Sequence, residues 1–344
     1  MGLPRERLSS GCLIPNGRDN ERVLEGSVSS LTCLSYSHRG SSHIEQRKPN
    51  QDHSDFQGDG DTLFVAVGDG LGSCAFSDEG SQLMTQRITQ KMRDFVARSL
   101  SETVELSKDR VLFRAGPMKL AYQYKAKETV RHPLVRLNEN AFRTAFVRSV
   151  EDIRLELDDL SAKKQLCTTQ VNNLGEGEAE DSAKKHNKVP TIKCTKEDFA
   201  TTCLFGMTDG KKVFCSHVGD GGIYLVCQTT SELMVQPTKG DALDETIPVT
   251  HNEWKEYLKV RVLDVPPEAL FLCLMTDGFA ENISKTNPNL FFQRIVSEAR
   301  QKTKADFVKW LAELNGYYES RGFSGDDKTA CFVFFNDLFK EQSQ

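Results

Sequence analysis

No CxxC pair, no apolar run of bilayer length and no surplus of basic residues occurs in these 344 residues, and each absence removes a class of protein. The longest apolar runs, such as ALFLCLM at 269–275, fall far short of the roughly 20 residues that span a bilayer, so no membrane helix is expected. Lys and Arg total 44 against 49 Asp and Glu, a net charge of −5, and no basic stripe is evident; nucleic acid is not expected as a partner. The ten cysteines are scattered, several inside apolar strands (Cys203, Cys215, Cys273, Cys331), which reads as buried reduced thiols rather than disulfides or zinc ligands. The opening MGLPRERLSSGCLIP has no sustained apolar core for a secretory signal, and Glu6 stands where a myristoylation motif wants Ser or Thr. A cytoplasmic location is therefore the expectation. No internal repeat of useful period is visible.

What is present is an ordinary globular composition, 38% hydrophobic and 27% charged, on a chain long enough for one large core or two small ones. Residues 1–25 are polar and read as a flexible N-terminal arm, with order expected from about Ser27. SSLTCLSYS (29–37) is strand-like, and DTLFVAVGD (61–69) is a buried strand ending in a turn. Apolar residues spaced three and four apart predict helices over 78–103 and 138–160, with Asn138 capping the second. The stretch at 172–188 reads as a polar surface loop, and the segment at 104–136 as an insertion. ATTCLFGMT and KKVFCSHVGD are joined by Asp209-Gly210, a dipeptide suited to a tight hairpin with positive φ at both positions, and GGIYLVCQ (221–228) is expected to continue that meander. EALFLCLMTDG then runs into helices at 289–300 and 304–318 and a closing strand within 325–335. Strands and helices do not alternate singly, which favours an α+β layered fold.

Acids recur at strand ends. Asp69-Gly70, Asp220-Gly221 and Asp277-Gly278 each close an apolar segment, and Asp52 and Asp326 adjoin strands as well. One Asp-Gly is ordinarily a turn. Several converging on one rim would repel by about 3 kcal/mol per pair at 5 Å and an effective dielectric of about 20. Hard divalent cations bound by carboxylates, a backbone carbonyl and water relieve that repulsion, and two such ions support phosphoester hydrolysis.

The ordered set RKPNQD, VGDGLGS, TTCLFG with HVGDGG, LMTDGFAEN and SGDDKTACFVFF resembles the metal-dependent serine/threonine protein phosphatases of the type 2C (PPM) family, its bacterial-type branch more than the animal one. The likeness runs from about residue 28 to 336. It implies a four-layer β-sandwich of two antiparallel sheets flanked by helices on both faces, forming one catalytic domain over 26–338. It also implies a dinuclear Mn²⁺ or Mg²⁺ centre that activates a hydroxide against phosphoserine or phosphothreonine. By the same resemblance Asp69 bridges the metals, the Gly70 carbonyl holds the second, Asp277 and Asp326 hold the first, Asp52 orients water at the centre, and Asp220 helps bind a third, weaker ion. Arg47 would grip the substrate phosphate through its two-pronged guanidinium. The implied partner is a phosphorylated protein, its kinase unidentified.

Two departures stand out. Gln51 occupies a position where many members carry Glu, and Leu71 replaces the histidine that animal members use as general acid. His53 and His217 are read as structural histidines. A dinucleotide fingerprint in GDGLG is disfavoured because Asp69 would face the pyrophosphate, and a Ca²⁺ loop from Asp55 fails at Ala66, where a bidentate Glu is needed. The alternative from another class is a pseudophosphatase, the same fold kept as a binding scaffold with a weakened centre, for which Gln51 alone speaks.

Overall fold

The computed structural model describes residues 12–13, 21–112, 134, 137–174, 193–237, 246–284 and 287–339. Along the chain, strands β1 (Cys12–Leu13), β2 (Glu21–Val28) and β3 (Leu31–His38) lead through a short helix α1 (Ser41–Glu45) into the hairpin β4 (Asp52–Asp59) and β5 (Thr62–Asp69). Helices α2 (Ser77–Leu112) and α3 (Glu139–Leu174) follow, then a 3₁₀ turn at Lys196–Phe199 and strands β6 (Cys203–Thr208), β7 (Lys212–Val218), β8 (Gly222–Cys227) and β9 (Ser231–Val235). The remainder is α4 (Trp254–Tyr257), β10 (Lys259–Asp264), β11 (Ala269–Met275), α5 (Asp277–Ser284), α6 (Pro288–Gln301), α7 (Lys304–Ser320) and β12 (Lys328–Phe334).

The strands form two antiparallel sheets, one of seven in the order β1-β2-β3-β12-β11-β8-β9 and one of five in the order β10-β7-β6-β5-β4. Alternation along each strand builds the layers. From β5, Leu63, Val65 and Val67 enter the core between the sheets with Leu272, Leu274 and Val333, whereas Phe64 and Ala66 face outward against Met84, Ile88 and Met92 of α2 and Phe142 and Phe146 of α3. On the opposite outer face, Phe271, Phe332 and Phe334 pack beneath Phe292, Ile295, Phe307 and Leu311 of α6 and α7. The result is the expected four-layer sandwich. A strand buried on both faces needs apolar residues at consecutive positions, which is why β5, β11 and β12 read as continuous apolar runs.

Several expectations are corrected. The first sheet begins by Glu21 rather than Ser27, because Glu21 to Val28 pair with β3 along their whole length. Helices α2 and α3 run on to Leu112 and Leu174, past the boundaries set by apolar spacing, so 172–174 is helix and not loop. Positions 175–188 and 113–133 lie outside the described residues. At Asp209-Gly210 only the glycine has positive φ (80°); Asp209 instead accepts from the Lys211 and Lys212 amides through Oδ1 (both 2.9 Å). β8 does not continue the β6–β7 meander but crosses to the other sheet and pairs with β11. Asn138 caps α3 as expected, Oδ1 accepting from the Ala141 amide at 2.9 Å. Cys33, Cys203, Cys215, Cys273 and Cys331 are buried free thiols. Among the described residues, no helix is long and apolar enough to cross a membrane.

Candidate active site

Sheet registry brings the acidic turns to one rim. Asp52 pairs with Asp69 across β4 and β5, Met275 lies opposite both Gly222 and Ala330, and Lys328 lies opposite His38. The ends of β3, β5, β7 and β11 therefore meet the starts of β4, β8 and β12. The 69–72 turn is held by backbone pairing: the Gly70 amide donates to the Gln51 carbonyl (3.1 Å), Leu71 to Ala200 (2.9 Å) and Thr202 to Asp69 (2.8 Å). A Cβ on Gly70 would fall 2.6 Å from the Ser77 carbonyl oxygen and 2.9 Å from that of Gln51, so the turn closes this tightly only with glycine.

Within this rim, Asp69, Asp220 and Asp277 each offer an oxygen within 4.8 Å of the others, and all three are half-buried. Among the described residues, none of them forms an ion pair with Lys, Arg or His. Burial, followed by the charges of Asp52, Asp277 and Asp220, raises the Asp69 carboxyl well above the usual carboxylate range. Burial and the Asp220 charge push Asp277 up to about 6. Asp52 is raised in the same way by burial and by the charge of Asp327, offset partly by the Thr276 hydroxyl, which donates to Oδ2 at 2.7 Å. Asp220 accepts from Thr246 through Oδ2, while Oδ1 is buried without a partner. A second orphan is Gln51 Oε1; the amide's other end donates to Ser77 Oγ at 2.5 Å.

Of the remaining expected residues, Asp326 borders this trio: its charge acts on Asp277 and Asp52, and its Cβ lies 3.4 Å from where one on Gly278 would stand. Asp326 belongs to a neighbouring group with His43 and Asp327 and has its side chain half exposed. Arg47 is exposed at φ 57°, beside Lys48, whose Nζ donates to the Gly72 carbonyl (2.8 Å) and ties this segment to the 69–72 turn. His53 bonds Ser81 Oγ through Nδ1 (2.9 Å), and burial with the Arg22 charge lowers it to about 4. His217, fully buried in β7, is likewise lowered to about 4, by burial and by the Lys259 charge. Both histidines are neutral at pH 7.

Sequence reasoning passed over Asp327 and His43. Asp327 is 2% exposed and accepts from the Gly40 amide through Oδ1 (2.7 Å), and from the Gln51 amide (2.6 Å) and His43 Nδ1 (2.7 Å) through Oδ2. The doubled acid in SGDDKT was the available signal; His43 sits in a polar stretch with no periodicity to mark it.

Converging carboxylate oxygens and two orphaned buried acceptors, with no pairing cation among the described residues, describe a donor set for hard divalent ions. A two-sheet sandwich carrying such a rim defines an α+β protein with a candidate metal-dependent centre. Residues 39–314 match the sequence profile of the family described as Protein phosphatase 2C, and the chain belongs to that family. Among solved structures it is similar to serine-threonine phosphatase 2C from Toxoplasma gondii (15% identity, TM-score 0.55, covering 91% of this chain and 98% of that one). It is also similar to the S. agalactiae serine/threonine phosphatase (13% identity, TM-score 0.53, covering 88% and 99%). At such identities the likeness is one of fold. A comparison with curated proteins returns no match.

Proposed function

We propose that this chain is a metal-dependent phosphatase of phosphoserine and phosphothreonine in proteins, working at the rim built by Asp52, Asp69, Asp220 and Asp277. The observation that carries this reading is the convergence of Asp69, Asp220 and Asp277 in a chain of this family. The trio, with the Gly70 carbonyl, Gln51 Oε1 and Asp326 nearby, would hold Mn²⁺ or Mg²⁺, two ions and a third, weaker one. Bound there, such ions supply Lewis-acid polarisation of the phosphoryl group and lower the pKa of water. Asp52, with one oxygen fixed by Thr276, keeps the other to orient a water molecule. Arg47, on the exposed lip next to the 69–72 turn, offers a guanidinium to two phosphate oxygens of an incoming side chain. Leu71 brings no proton donor to that turn, so the leaving alkoxide takes its proton from solvent or from another group.

The test is hydrolysis of p-nitrophenyl phosphate and of a phosphothreonine peptide with Mn²⁺, with Mg²⁺ and with EDTA. Wild-type activity should require metal, and Asp277→Asn should lower kcat by at least about 100-fold, since that charge stabilises the transition state through the centre. The variant should remain folded, because it removes charge at constant volume. Metal-independent activity, or an Asp277→Asn enzyme that turns over normally, rejects the assignment. A wild type that binds metal without turnover would be a binding scaffold instead.

A further inference from the structure

We propose that His43 is a nitrogen ligand of this centre, making it a mixed nitrogen and oxygen site that takes Zn²⁺, Fe²⁺ or Mn²⁺ in preference to Mg²⁺. The inference rests on the metal-dependent reading above.

Three donors converge on the buried Asp327 carboxylate: the Gly40 amide, the Gln51 amide and His43 Nδ1. A carboxylate already serving two amide N–H groups can only accept from the third, so Nδ1 carries a proton and Nε2 is the nitrogen left for a metal ion. Histidine ligands to metals are fixed in this way, by a carboxylate on the far ring nitrogen.

His43 is 7% exposed, so its ring is held in place. Nε2 lies 3.6 Å from Asp326 Oδ1, too far for a hydrogen bond. The spacing matches the edge of a tetrahedral site with bonds of about 2.1 Å, which is about 3.4 Å. A second observation points to the same space. A Cβ built on Gly72 would lie 4.0 Å from His43 Nε2 and 3.7 Å from Gln51 Oε1, the buried amide oxygen that has no partner. The two atoms thus border one space, which Gly72, exposed and without a side chain, leaves open. An imidazole in the donor set shifts preference along the divalent series away from Mg²⁺, which takes oxygen.

The full-length protein, ¹⁵N-labelled at histidine, would be titrated with Zn²⁺ and separately with Mg²⁺ and followed through its imidazole nitrogens. Calorimetric titrations would compare wild type, Asp69→Asn and His43→Asn. Asparagine retains a donor toward Asp327 and removes Nε2. One imidazole Nε2 signal should shift with Zn²⁺, that signal should be missing in His43→Asn, and the variant's Zn²⁺ affinity should fall about tenfold or more, with Mg²⁺ affinity changed less than about twofold. Zn²⁺ binding that depends on Asp69 but moves no imidazole signal and survives His43→Asn overturns the role of His43 and leaves the metal centre standing. Failure of wild type to bind either ion removes the centre and this ligand together, whereas an imidazole shift with equal binding by Asp69→Asn places the ion on His43 apart from the Asp69 centre and overturns the proposal that His43 belongs to it. The wild-type spectrum reads the outcome even if the variant misfolds.

Discussion

Two adjacent aspartates divide two tasks between them. Asp326 is half exposed, whereas Asp327 is buried and ties three separate segments together through Gly40, His43 and Gln51. Asp327→Ala should therefore leave two buried amides and an imidazole N–H without acceptors, at a cost of about 3–5 kcal/mol in urea denaturation. A loss under about 1 kcal/mol would show that water replaces the carboxylate there. The sequence offers two chemically identical side chains in SGDDKT, and family pattern selects the first. Which of them turns inward depends on backbone position at the start of β12, and no residue type encodes that. Asp220 makes the same point, since its hydroxyl partner Thr246 is distant in the chain.

At the scale of elements, helices were legible in phase but not in length. Met84, Ile88 and Met92 repeat every four residues, and the structure buries them as that spacing requires. The distal ends of α2 and α3 still carry apolar residues, Val104 and Val111 in one and Leu166 and Val171 in the other, but too sparsely to mark where the helix stops. Glycine shows how packing overrides propensity. A Cβ on Gly80 of α2 would stand 2.1 Å from the Phe199 carbonyl oxygen in the 3₁₀ turn, whereas one on Gly316, exposed in α7, would meet nothing within 4 Å. Gly316→Ala should stabilise the protein by about 0.5–1 kcal/mol through helix propensity. The same substitution at Gly80 should destabilise it by about 2 kcal/mol or more, because backbone must move. Equal effects in thermal melts of the two variants would contradict this account of the α2 contact.

For the molecule as a whole, the carboxylates of the rim couple stability to pH, and on the proposed function to cations as well. Asp277, near 6 and above the ordinary 3.8, binds its proton more tightly when folded; that contribution is present at low pH and lost as pH rises through about 6. Asp52 and Asp69 are shifted in the same direction. His53 and His217, near 4 and below 6.5, work oppositely, contributing above 6.5 and failing as pH falls through 4. The two slopes overlap, so the informative quantity is the gain in Tm on adding Mn²⁺ to EDTA-treated protein. That gain should be close to zero at pH 4, grow through pH 6, and reach about 5 °C at pH 7 with Mn²⁺ at 100 times its Kd. A gain independent of pH would place the ions away from these carboxylates.

The sequence by itself determined the α+β class, the doubly buried strands, the helix faces and the recurrence of acids at strand ends, because each is written in local spacing and side-chain chemistry. Tertiary structure alone decided which sheet β8 joins, which acids meet, and that Asp69, Asp220 and Asp277 cluster while Asp326 stands with His43 and Asp327. Those outcomes depend on registry between strands far apart in the chain, such as Lys328 opposite His38. A shift of one residue there would exchange the faces of the strand and move every side chain on it, although the residues themselves would read the same.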